Sequence, residues 1–214
     1  RDRLGIKPLY YWPMRDGVAF ASELRALVTL PEVPRTIDPD AVVDYMAVGY
    51  VPEPRTILAG VHKLPPGHLL EWTRDGGVRT ERYWSPAVAE NAGITEQEAV
   101  EETRRLLDES VRIHLLSEVP LGAFLSGGID SSGVVATMAR ISDRPVRTFS
   151  IGFAEREFDE SRHAAEVASA LGTEHTQLVV RPDAELLFEQ VARALDEPFG
   201  DPSALPTFLV SYLA

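Results

Sequence analysis

An α/β protein is predicted, with a doubly wound parallel sheet in its second part and antiparallel hairpins in its first. Three observations carry this. From Leu121 onward strand and helix patterns alternate: strands at Leu121–Leu125, Pro145–Phe153 and Glu174–Val180, helices at Asp130–Ile141, Asp159–Leu171 and Asp183–Ala194. The first of those strands runs directly into a Ser126-Gly127-Gly128 turn and a helix. The residues before Ser85 instead show short alternating runs around turn sequences.

In chain order, Pro8–Trp12 and Gly17–Ser22 form a hairpin around Arg15-Asp16-Gly17. Ser22 is placed to cap a short helix running to about Leu30, with Glu23 in its first turn. Asp38–Tyr50 reads as a helix with Asp38 as cap, Pro39 at the first position, and Val42, Val43, Met46 and Ala47 on an apolar face. Pro52-Glu53-Pro54 and Lys63–Gly67 make a rigid connector. His68–Thr73 and Val78–Trp84 form a second hairpin around Arg74–Gly77. A polar stretch at Ser85–Ile94 marks the boundary between domains 1–88 and 89–214. Thr95-Glu96-Gln97-Glu98 fits a capping box opening a long helix to Ser117. Val100, Leu106, Leu107, Val111, Ile113 and Leu115 supply its apolar face, with His114 packed near it.

Composition narrows the function classes. The 214 residues carry a net charge of −12, which disfavours nucleic acid or an anionic membrane as partner. A nucleotide remains compatible, because it needs only local donors and Mg²⁺. With no cysteine there is neither a disulfide framework nor a thiolate metal site. His62 and His68 lack partners at metal-ligand spacing. No apolar run reaches transmembrane length and no signal peptide opens the chain, so the cytoplasm is the expected compartment. Arg1 enters directly into a motif-like segment and Ala214 ends inside an apolar pattern, so a fragment of a longer protein is expected.

The chemistry centres on Val119–Ser132. Two glycines let the backbone turn tightly against a ligand, and the helix after them turns its free N–H groups on the same spot. Ser126, Ser131 and Ser132 add hydroxyls, which makes a phosphate site. A Walker loop would close on Gly-Lys-Ser/Thr, but the only lysines are Lys7 and Lys63. Asp130 lies inside the loop instead, and a carboxylate beside phosphates fits a Mg²⁺ ligand. Transfer of AMP with pyrophosphate leaving is therefore favoured over γ-phosphate transfer.

Ser126–Ser132, SGGIDSS, resembles the pyrophosphate loop of ATP pyrophosphatases. With DRLGIKPLYYW at Asp2–Trp12, FASELRAL at Phe20–Leu27, Gly49–His68, FSIGF at Phe149–Phe153, FDES at Phe158–Ser161, LGTEH at Leu171–His175 and DEPFGDPSALP at Asp196–Pro206, the chain resembles glutamine-hydrolysing asparagine synthetases. The resemblance implies that 1–88 is the C-terminal part of an antiparallel αββα glutaminase domain of the N-terminal-nucleophile-hydrolase type. It implies that 89–214 begins an ATP-pyrophosphatase-like synthetase domain. The implied enzyme is a ligase: ATP activates aspartate as an acyl-adenylate, ammonia from glutamine attacks, and AMP, pyrophosphate and asparagine leave. Ser126, Gly127, Gly128, Ser131 and Ser132 would cradle pyrophosphate, and Asp130 would bind Mg²⁺. Phe124, a leucine in the family, and Ile151 would meet the adenosine through main-chain groups. Partners are small molecules, with a homodimer as a candidate assembly. The nucleophilic cysteine and glutamine-binding residues of that family lie outside this segment, so the chain alone is expected to release no ammonia from glutamine.

Several readings stay open at this point. A β-lactam synthetase or another amide-forming relative shares the loop, and a non-catalytic nucleotide-binding module is a third class. A serine hydrolase would use Ser126 with His163 or His175, although Phe124 stands where a nucleophile elbow needs glycine. Asp196, Glu197 and Asp201 either hold an amino group or second Mg²⁺, or cap the next helix. Arg1, Asp2 and Arg3 read as structural charges, and His175 as structural.

Overall fold

The computed structural model describes residues 1–86, 88, 93–153, 161–180 and 184–214. Two compact units emerge: Arg1–Ala89 with Phe188–Ala204, and Glu90–Leu187 with Leu205–Ala214. In chain order the elements are β1 (Tyr10–Met14), β2 (Gly17–Ala21), α1 (Leu24–Leu27), α2 (Pro39–Val48), β3 (His62–Lys63), β4 (His68–Thr73), β5 (Gly77–Arg82), α3 (Glu96–His114), β6 (Gly122–Phe124), α4 (Ile129–Ile141), β7 (Arg147–Phe153), α5 (Ser161–Leu171), β8 (Glu174–Val180), α6 (Ala184–Ala194) and α7 (Ala204–Leu213). The helix starts expected at Asp159 and Asp183, and half of the Ser85–Ile94 linker, lie outside the described residues.

In the first unit β1 and β2 pair antiparallel from Tyr10↔Ala21 to Met14↔Gly17, and β3 adds to β1 in the order β2-β1-β3. The strand runs through Pro13, past the expected end at Trp12. β3 pairs only with Tyr10 and Tyr11, so β1 is an edge from Trp12 onward and tolerates a proline. Tyr10, Leu24, Leu27, Val33 and Val61 make the core here. The β4–β5 ladder runs from His68↔Arg82 to Thr73↔Gly77.

Two expectations about helices fail in this unit. Ser22 does not cap α1: the flanking residue is Glu23, which makes no capping bond, and the Leu24 amide donates instead to Asp196 Oδ2 at 2.6 Å. A carboxylate 172 residues away does what a neighbour was expected to do. α2 does begin as expected, with Asp38 Oδ1 accepting from the Asp40 amide at 2.9 Å and Gly49 ending it at φ 81°. Its supposed apolar face is bare, however: Val43 and Met46 are 66% and 76% exposed, and Ala41 is the buried residue.

The second unit is a parallel three-stranded sheet in the order β6-β7-β8. Phe124↔Phe149 and Phe149↔Thr176 fix the register. β6 is shorter than expected, but the Leu125 amide still donates to the Phe149 carbonyl at 2.9 Å. Leu125 packs with Val135 of α4 and Ala164 and Ala168 of α5, and Ala123 lies against the same cluster. Both crossover helices therefore cover one face. The order shows no reversal among the described strands.

α3 opens with the expected capping box: Thr95 Oγ1 accepts from the Glu98 amide and Glu98 accepts from the Thr95 amide. Val111 packs with Met138 and Val146, supported by Leu107 and Leu115. Val100, Leu106 and Ile113 of the expected face are exposed. His114 is exposed rather than packed, its Nδ1 2.8 Å from the Ser110 carbonyl one turn back. An apolar stripe spreading over half the helix is wider than the single seam that α4 covers.

Candidate functional site

The site forms where β6 ends. Gly127 has φ +84°, which L side chains rarely adopt. A side chain there would also lie 2.6 Å from His163 Cβ and 2.7 Å from the Ala164 nitrogen. Glycine is thus required for both conformation and space, because the start of α5 presses on the turn. Ser126 Oγ lies 2.9 Å from Ser131 Oγ and accepts from the Gly128 amide at 3.3 Å. Ser131 Oγ also reaches the Gly128 carbonyl at 3.2 Å.

Helix α4 starts at Gly128 with no side-chain cap, leaving the first-turn amides of Ile129, Asp130 and Ser131 without a capping acceptor. Ser132 Oγ is buried and has no hydrogen-bond partner among the described residues. A buried unpaired hydroxyl costs stability unless something else satisfies it. The uncapped amides, one residue from the unpaired Ser132 hydroxyl, make a cradle short of an acceptor, and a phosphate oxygen is such an acceptor.

A cavity of about 380 Å³ opens beside the turn. Phe124, Ser126, Ser131 and Ile151 line it, while Gly127, Gly128, Asp130 and Ser132 sit in the adjoining turn and first helical residues. Its wall also contains Phe149, Ser150 and, from α7, Pro206, Thr207 and Val210. Sequence reasoning places the Phe149–Phe153 segment along this crevice but assigns none of the three α7 residues to it. The α7 residues carry no local signal, since apolar helix positions look the same whether they face a core or a cavity.

Asp130 is exposed and enters no salt bridge among the described residues, where no group of three His, Asp or Glu could hold a metal ion. One free carboxylate beside a phosphate cradle suits Mg²⁺, which takes one or two carboxylates together with phosphate oxygens. It does not suit an all-protein metal cage.

Ser126 Oγ bonds a serine and no imidazole. His175 has both nitrogens engaged, Nδ1 at 2.9 Å from Thr148 Oγ1 and Nε2 at 3.1 Å from Ser150 Oγ. Both ring nitrogens are thus taken by protein hydroxyls, and burial holds its pKa below the usual histidine value. Among the described residues neither His163 nor His175 bonds Ser126, so the hydrolase reading lacks a nucleophile–base pair there.

The acids before α7 act structurally. Asp196 pairs with Arg25 Nε at 2.7 Å while capping α1. Glu197 lies 2.6 Å from Lys63 Nζ and accepts from the Ile57 amide at 2.7 Å. Burial, with Glu197 beside it, raises the Tyr10 hydroxyl pKa above its ordinary value. Only Asp201 caps the approach to α7, accepting from the Ser203 amide at 2.7 Å, which lowers its pKa. Asp196 and Glu197 are therefore engaged by protein partners away from α7 and do not cap it. Arg1 is also structural, donating to the Leu64 carbonyl at 2.8 Å and pairing with Glu53. Asp2 accepts from the Ile6 and Lys7 amides. Arg3 lies over Trp84, 6.0 Å from the ring centroid.

A parallel strand running through a glycine turn into an uncapped helix defines an anion-binding α/β protein. The asparagine synthase family model matches residues 102–214, and a glutamine amidotransferase domain model matches residues 1–84. The chain belongs to the asparagine synthase family. It is 38% identical over 213 residues to glutamine-hydrolysing asparagine synthetase 1 of Bacillus subtilis, covering 99% of this chain and 33% of that protein. It is 37% identical over 220 residues to a putative asparagine synthetase of Methanocaldococcus jannaschii, covering 100% of this chain and 42% of that protein. A putative asparagine synthetase of Mycobacterium tuberculosis is 36% identical over 219 residues, covering 99% of this chain and 33% of that protein. The chain thus spans between a third and under half the length of these relatives.

Proposed function

We propose that the protein carrying this chain is a ligase that makes asparagine from aspartate, with ATP consumed and glutamine supplying the nitrogen. The observation carrying this reading is the uncapped turn at Ser126–Ser132 with the orphaned Ser132 hydroxyl, in a chain of the asparagine synthase family. ATP would activate the aspartate β-carboxylate as an acyl-adenylate; ammonia then forms the amide bond as AMP leaves.

In this proposal the residues divide the work by chemistry. Hydroxyls of Ser126, Ser131 and Ser132 and amides of the Gly127-Gly128 turn donate to the pyrophosphate, where charge develops as it leaves. The Asp130 carboxylate would hold Mg²⁺ at this turn. Bound there, Mg²⁺ supplies positive charge that stabilises the leaving group. Main-chain groups at Phe124 and Ile151 meet the adenosine, and the apolar wall of Phe124, Phe149 and Val210 supports the reading by limiting water around a hydrolysable adenylate. Residues 1–88 would form the C-terminal part of an αββα glutaminase domain and 89–214 the first part of a doubly wound synthetase domain. The two family matches fall on either side of that division. Partners are then small molecules, with a homodimer as the proposed assembly. Among the described residues no helix is long and apolar enough to cross a membrane.

The test is product analysis with the full-length protein, aspartate, glutamine and Mg·ATP. Asparagine and AMP in equal amounts are expected. ADP as the nucleotide product, or AMP that forms without dependence on aspartate, overturns the proposal.

A further inference from the structure

Alternate residues of β7 face opposite sides of the sheet, so Thr148 and Ser150 share the face opposite Phe149. His175 stands opposite Thr148 on β8 and bridges both hydroxyls, Nδ1 to Thr148 and Nε2 to Ser150. Thr148 Oγ1 lies also 2.9 Å from Thr173 Oγ1, whose hydroxyl donates to the Ala168 carbonyl at 3.5 Å. Thr148 is 0% and Ser150 4% exposed, so water does not compete for these links. At the other end of the chain of bonds, Ser150 lines the cavity.

One proton order satisfies every link. The Ala168 carbonyl only accepts, so Thr173 gives it its proton. Thr148 then donates to Thr173 and accepts from Nδ1–H. A neutral imidazole has a single N–H, so Nε2 must accept, and the Ser150 hydroxyl donates to it. The Ser150 oxygen keeps lone pairs free, and Ser150 is the member of this network that lines the cavity.

On the reading of this cavity as the nucleotide site, we infer that Ser150 is a specificity-determining contact whose oxygen accepts a hydrogen bond from an N–H or O–H of the nucleoside, and that His175 is the positioning residue that sets its direction. A buried acceptor of fixed sense disfavours ligands lacking the matching donor, because it would be left unpaired.

Calorimetry of Mg·ATP binding to the full-length protein tests this, with thermal midpoints recorded alongside. Asparagine at 175 places its amide where Nδ1 was and keeps Thr148 but not Ser150; glutamine reaches the Nε2 position. Ser150→Ala and His175→Asn should each weaken binding about tenfold, one hydrogen bond's worth. His175→Gln should restore most of it, and Ser150→Ala with His175→Asn should be no weaker than either alone. Wild-type binding by His175→Asn or by Ser150→Ala overturns the assignment. So does an equal loss in the Asn and Gln variants that tracks their thermal midpoints, the mark of a purely structural histidine. A wild-type protein that binds no Mg·ATP fails the nucleotide reading itself, which variants insensitive beside an intact wild type would not.

Discussion

At the scale of single residues the turn rests on two groups with opposite demands. On the proposed function Asp130 would need to be exposed to hold Mg²⁺, and it is exposed. Asp130→Ala in the full-length protein is expected to abolish asparagine and AMP formation while leaving glutamine hydrolysis intact, since that chemistry uses other residues. Synthesis within a few-fold of wild type removes Asp130 from the mechanism. Gly127 must stay bare. Gly127→Ala brings a left-handed conformation with a Cβ and a 2.6 Å approach to His163 Cβ, and should destabilise the fold by about 2 kcal/mol or more. Urea unfolding measures it, and an unchanged midpoint would mean that α5 gives way freely.

Elements in this chain are held by their ends. α3 begins with Thr95 and Glu98 satisfying each other's amides, and that backbone hydrogen bond from Thr95 holds the Glu98 pKa below its ordinary 4.5. A carboxylate with a depressed folded-state pKa contributes stability that is present above the unfolded value. That contribution is lost as pH falls from about 4.5 through the lower folded-state pKa. Glu98→Gln keeps a capping side chain but removes the titration, so the thermal midpoint should fall less steeply between about pH 5 and 3. Asp2, Glu102 and Asp201 have lowered values too, so the flattening is partial. Superimposable acid limbs for the two proteins would show that the cap does not report on global stability.

For the molecule as a whole the deciding contacts span the sequence. Lys63 and Glu197 are 13% and 10% exposed, Lys63 Nζ also donates to the Val51 carbonyl at 2.6 Å, and the Gly200 amide donates to the Gly49 carbonyl at 2.7 Å. These bonds tie a segment inside the asparagine synthase match to residues inside the amidotransferase match, all within one compact unit. Removing one partner of a buried pair strands the other charge, so Glu197→Gln should cost roughly 3 kcal/mol. Adding Lys63→Met should recover part of that loss, because no unpaired charge then remains. Denaturant unfolding of both variants measures it. A Glu197→Gln protein as stable as wild type would show that the pair is solvated in solution.

The sequence by itself determined what depends on neighbours along the chain. The glycine turn, the Thr95–Glu98 box, the Asp38 cap and the alternating strands and helices all arise from residues a few positions apart, and so did the family resemblance. Tertiary structure alone decided what depends on partners brought from far away. It put Asp196 on the Leu24 amide in place of Ser22 and drew Glu197 to Lys63 rather than to a ligand. It left Val43 and Met46 of α2 in solvent, since periodicity shows that a helix has an apolar face but not whether anything covers it. It also brought α7 to the cavity wall. Charge and hydrophobicity are readable one residue at a time, whereas the partner of a carboxylate and the cover of an apolar face are set by which distant segments meet.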